Sequence, residues 1–136
     1  MKLGNEELRY MRALETVAGV SARDCIIFKN KLVFIINAEG IGKAIGKKGS
    51  NVKKLSEKMG KNIELMEYSN DAAEFVKKAL GSIRFEKAEI LDGEKKAMQL
   101  SMDFENRKKL LDNIGRLKKL KEIVKREYNI GDIRVR

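Results

Sequence analysis

The chain has 136 residues, 30 Lys and Arg against 20 Asp and Glu for a net charge of +10, no His, no Pro, no Trp and one cysteine, Cys25. A lone thiol without histidine excludes an internal disulfide, a structural zinc site and every Ser-His-Asp or Cys-His nucleophile, so no catalytic residue, metal or cofactor is expected. The longest apolar run, Leu32–Ile36, is far below the roughly 20 residues that span a bilayer, and the N-terminus lacks the apolar stretch of a secretory signal, so a soluble, cytoplasmic protein with no membrane contact is expected.

In chain order, Asn5 followed by Glu6 and Glu7 opens a helix in which Tyr10, Leu14 and Val17 recur at helical spacing, and Gly19 stops it. Two β-rich runs, Asp24–Phe28 and Lys31–Asn37, flank Lys29-Asn30 as a tight hairpin. Residues 38–49 are glycine-punctuated. Asn51–Met59 predicts a helix with Val52, Leu55 and Met59 on one face, ended by Gly60, and Ile63–Met66 predicts a third strand. The order then restarts. Asp71 and Glu74 open a helix ended by Gly81, and strands are expected at Ile83–Leu91 and Lys96–Met102 around an Asp92-Gly93 turn. A helical stretch follows from about Phe104, and Ile133 and Val135 mark a last short strand.

Both halves thus read helix–strand–strand–helix–helix–strand. Val52, Leu55 and Met59 superpose on Leu117, Leu120 and Val124 with a constant shift of 65. That internal duplication predicts two domains, 1–69 and 70–136, each near the size where a single core is marginal. Cys25 and most methionines read as core.

The charge is concentrated. Residues 41–61 hold seven Lys against Glu57 alone, and residues 107–126 hold nine Lys and Arg against Asp112 and Glu122, so the rest of the chain is mildly acidic. Such clustering is the footprint of an anion-facing surface, or of a solvated lysine-rich helix.

The informative stretch is Gly40 to Val52, which contains Gly46-Lys47-Lys48-Gly49. A Walker phosphate loop fails here, because Ile41 stands at its first glycine and Lys48 at its magnesium-binding hydroxyl. A dinucleotide fingerprint fails at Ile45. What fits is Gly-x-x-Gly between two helices, with two strands before and one after, which is the nucleic-acid clamp of a KH domain. Glycines let backbone approach phosphate, and the loop runs into a helix N-terminus that attracts anions. The candidate binding residues are Gly46, Lys47, Lys48 and Gly49, with Lys43 one turn before and Ser50, Asn51, Lys53 and Lys54 just beyond. Ile45 is expected to wall an apolar groove for bases. The plainer reading is a helix–turn–helix corner. In the second half the shift places Leu111-Asp112-Asn113-Ile114 over the motif, so that loop is degenerate. Arg116, Lys118, Lys119 and Lys121 remain as a secondary basic surface. No carboxylate cluster has metal spacing, no nucleophile has a base beside it, and no small-molecule substrate is expected.

The twin unit, with Leu8-Arg-Tyr-Met-Arg, Ala22-Arg-Asp-Cys-Ile-Ile27, the run from Gly42 to Leu55 and Glu67-Tyr-Ser69, resembles the short archaeal NusA-like proteins. The resemblance implies an α+β fold of tandem type II KH domains, each αββααβ with a three-stranded mixed sheet and helices packed on one face. It further implies binding of single-stranded RNA, the nascent transcript, together with RNA polymerase, in transcription termination or antitermination. Gly46, Lys47, Lys48 and Gly49 match the family's first clamp, and the second clamp is missing. Two rivals stand beside it, a ribosome-associated KH protein that reads rRNA and a protein–protein scaffold using the basic helix 116–126.

Overall fold

The computed structural model describes residues 4–136. Two compact units divide between Asn70 and Asp71. Among the described residues there are six α-helices and two three-stranded sheets.

The first unit begins with α1 (Asn5–Ala18), which ends on Gly19 in the left-handed conformation. Strands β1 (Asp24–Phe28) and β2 (Lys31–Ile36) form an antiparallel hairpin, and β3 (Asn62–Glu67) lies parallel to β2 on its other side. Helices α2 (Ala38–Ile45) and α3 (Ser50–Met59) fill the crossover between β2 and β3. Strand alternation sets the core. Leu32, Phe34 and Ile36 are fully buried, and Cys25 pairs with Phe34 as Phe34 pairs with Leu65, so one sheet face carries a continuous apolar row. Tyr10 and Leu14 from α1, Ala44 from α2 and Leu55 from α3 close on that row. Leu55 and Ala44 are both fully buried, which fixes the two helices that carry the glycine loop. At roughly 2–5 kcal/mol for truncating a buried Leu, the core decides where α3 starts more firmly than its propensity does.

The second unit repeats the order: α4 (Ala72–Leu80), β4 (Lys87–Leu91), β5 (Ala97–Ser101), α5 (Phe104–Asp112), α6 (Ile114–Tyr128) and β6 (Asp132–Val135). β4 pairs antiparallel and β6 parallel with the central β5. Phe75, Leu80, Met98, Leu110, Leu120 and Ile123 are fully or almost fully buried.

One expectation differs. The strand expected from Ile83 starts only at Lys87, because Ile83 turns back to donate its N–H to Leu80, and the Arg84 N–H is taken by the Asn106 side chain. The two helices expected after β5 meet at Asn113, inside the expected degenerate loop, and Asn113 is both the last cap of α5 and the first cap of α6. Its side chain accepts from the Arg116 N–H at 3.3 Å, the usual N-cap role of Asn.

Candidate nucleic-acid interface

The corner between α2 and α3 is built from backbone that only a glycine-rich sequence adopts readily. Gly46 sits at φ 78°, ψ 171°, and Gly49 at φ 74°, ψ 19°. Between them Lys48 is itself left-handed at φ 54°, ψ 31°, a conformation that costs a non-glycine residue about 1–2 kcal/mol. Residues Lys47–Gly49 close a single tight turn, with the Gly49 N–H donating to the Gly46 carbonyl at 3.2 Å.

The two glycines serve different ends. A methyl at Gly46 would lie 2.9 Å from the Asn51 backbone nitrogen and 2.8 Å from Ser50 Oγ, so that position is packed against the start of α3. A methyl at Gly49 would meet nothing within 4 Å. Gly49 therefore faces open space at the head of α3, and it is there that backbone stands bare to a ligand.

Helix α3 has no side-chain cap; Gly49 is its N-cap residue and offers none. The Ser50 N–H is already taken by the Lys47 carbonyl of the preceding turn, and the start of α3 carries the positive end of the helix dipole. The corresponding α6 is capped by its own Asn113. The two units thus differ in more than glycine count, since the start of α6 has a side-chain cap and that of α3 has none.

Lys47, Lys48, Lys53 and Lys54 are exposed around this opening, and so is Ser50. Ile45, the last residue of α2, is 40% exposed next to the loop. Lys43 lies farther round. Its ammonium comes within 3.3 Å of where a Gly19 Cβ would stand, at the C-terminal end of α1, where helix carbonyls favour a cation.

Asn51 has a role that composition and spacing do not convey. Its Nδ2 donates to the Lys43 carbonyl at 2.9 Å, tying the first turn of α3 to the last turn of α2. Asn51→Ala removes a bond with a net worth of about 1 kcal/mol. It is expected to lower the stability of the first unit by about that amount, and a fall in its denaturant midpoint checks this.

The secondary basic surface is partly committed to the fold. The Arg116 guanidinium donates to the Ala79 carbonyl at 2.6 Å, at the end of α4. Lys121 pairs with Asp132 at 3.3 Å. Lys118 is exposed and Lys119 half-buried on the same helix. Cys25 is buried in the core. No described helix is long and apolar enough to cross a membrane.

Comparison with known proteins agrees with this geometry. A family model for the KH domain matches residues 7–90, more than half of the chain, and includes the whole corner. A protein of Methanococcus vannielii named "Probable transcription termination protein NusA" is 37% identical over 86 residues, covering 63% of this chain and 50% of that one. The chain thus spans about half the length of this relative. A protein of the same name from Halobacterium salinarum is 24% identical over 136 residues, 99% of this chain and 98% of its own. The crystal structure of APE1850 superposes with a TM-score of 0.90 at 26% identity, covering 98% of this chain and 100% of that one. The resemblance to archaeal NusA-like proteins read from the residues is therefore observed. The chain belongs to the KH-domain family.

Proposed function

We propose that this chain is a non-enzymatic, single-stranded RNA-binding protein of the cytoplasm that acts on nascent transcripts with RNA polymerase, as a NusA-like termination or antitermination factor. The observation that carries the RNA reading is the Gly46–Gly49 corner. It sets an uncapped helix start behind a residue with open space before it, and places exposed Lys47 and Lys48 beside that space. Phosphate backbone fits there, and Ile45 offers an apolar edge to an unpaired base. The names of the relatives support the transcriptional setting.

We read the second unit as a KH module of the same strand order whose clamp is lost. A single residue, Asn113, joins its two helices, and Leu111 and Ile114 stand exposed at the corner. Aliphatic side chains there keep backbone away from phosphate.

The test is the salt dependence of binding to a single-stranded RNA of about four nucleotides, the length one KH loop clamps. With about three phosphates neutralised, log affinity is expected to fall against log salt with a slope near −2. Absence of binding, or a slope near zero, overturns the reading.

A further inference from the structure

The first unit carries a second cationic feature away from the glycine loop. A groove of about 430 Å³ runs between α1 and α3, with Arg9, Arg12 and Thr16 on one wall and Lys58 and Met59 on the other. Among the described residues no acidic side chain lines it, and the nearest carboxylate recorded is that of Glu6, which accepts from the Tyr10 hydroxyl at 3.2 Å. Tyr10 forms part of its floor, its ring under the Arg9 guanidinium at 5.3 Å and the Lys61 ammonium at 5.8 Å. Those two cations are thereby gathered over one ring, each favoured by its π face.

The groove and the clamp share helix α3. Helix α3 starts at the glycine loop and reaches Lys58 about 12 Å farther on, at 1.5 Å per residue. Lys54 lies one turn before Lys58 on the same exposed side. At the other end of α1, Gly19 meets Lys43 beside the loop, so α1 runs back along α3 and the groove points from the clamp toward Arg9.

We propose that the α1–α3 groove is a second binding subsite, taking the phosphate backbone of an RNA strand that has passed over the glycine loop. Arg9, Arg12 and Lys58 are the contact residues, and Lys54 bridges the two subsites. The inference rests on the reading of the loop as an RNA clamp and extends its footprint beyond four nucleotides. An acidic protein segment is the other class of anion with matching charge. Continuity with α3, whose lysines already lead from the loop, favours RNA.

The test compares single-stranded RNA oligonucleotides of about four and about ten nucleotides on the full chain. The variant is Arg12→Glu with Lys58→Glu; both side chains are exposed, and its thermal melt is taken alongside. It is expected to lose roughly tenfold or more in affinity for the longer RNA, as two exposed charge contacts imply, with little change for the shorter. Its salt slope for the longer RNA is expected to flatten by about 1.4, that is 0.7 for each phosphate contact removed. The conservative Arg12→Lys retains long-RNA affinity. Equal affinity of variant and wild type for the longer RNA overturns the proposal and leaves the acidic partner. Equal loss on both lengths also overturns it, since the groove would then act only through the clamp. Failure of the clamp reads differently: a loop charge reversal would change neither length, while the groove variant would still lose the longer one.

Discussion

Lys47→Asp combined with Lys48→Asp is expected to abolish binding of short single-stranded RNA and to leave the thermal melt close to that of the unaltered chain. Both side chains are exposed, and among the described residues neither has an ion-pair partner, so the fold loses nothing by their removal. Lys48 is left-handed at φ 54°, a region that Asp enters more readily than most residues, so its exchange adds no backbone strain. The ligand side is different. A hydrogen bond to a charged group is worth about 1.5–3 kcal/mol, and two such contacts amount to at least about 3 kcal/mol, or more than a hundredfold in affinity. Two carboxylates facing phosphate add repulsion to that loss. Affinity within about threefold of wild type, measured by anisotropy at fixed low salt, would falsify the clamp.

Much of the architecture around that loop was readable from residue order because its determinants are local. The alternation Leu32, Phe34, Ile36 states a strand with one buried face, and Gly60 and Gly81 each end a helix with positive φ. Gly46 and Gly49 mark the corner for the same reason, since their backbone angles are a property of the residue type. What escaped depends on partners far along the chain. Ile83–Glu86 has strand composition, yet Asn106 takes the Arg84 N–H from 22 residues away, and the segment stays out of the sheet. Arg116 looks like one of a row of surface cations, but the Ala79 carbonyl, 37 residues earlier, holds it. The basic groove is the plainest case. Arg9 and Arg12 face Lys58 only once α1 has folded back along α3, and no spacing rule within either helix conveys that.

Gly46→Ala and Gly49→Ala separate holding the corner from touching the ligand. At φ 78°, ψ 171°, Gly46 occupies a region essentially closed to other residues, with a cost of about 1–3 kcal/mol for an occupant with a Cβ. The methyl also lies 2.9 Å from the Asn51 backbone nitrogen, and that nitrogen belongs to a helix anchored by the buried Leu55. Neither side has room to give, so the loop must move. Gly46→Ala is expected to lower the stability of the first unit by at least about 2 kcal/mol and to remove RNA binding with it. Gly49→Ala meets open space, so only its left-handed backbone costs, about 1–2 kcal/mol, and its midpoint falls less than that of Gly46→Ala. Its methyl projects where phosphate would approach the uncapped start of α3, so affinity is still expected to fall about tenfold, in line with the loss of one charge-assisted contact. Denaturant midpoints and anisotropy on the same two proteins check the pair. A Gly49→Ala protein that stays folded and binds normally shows that no ligand enters that space, and the glycine would then serve the turn alone.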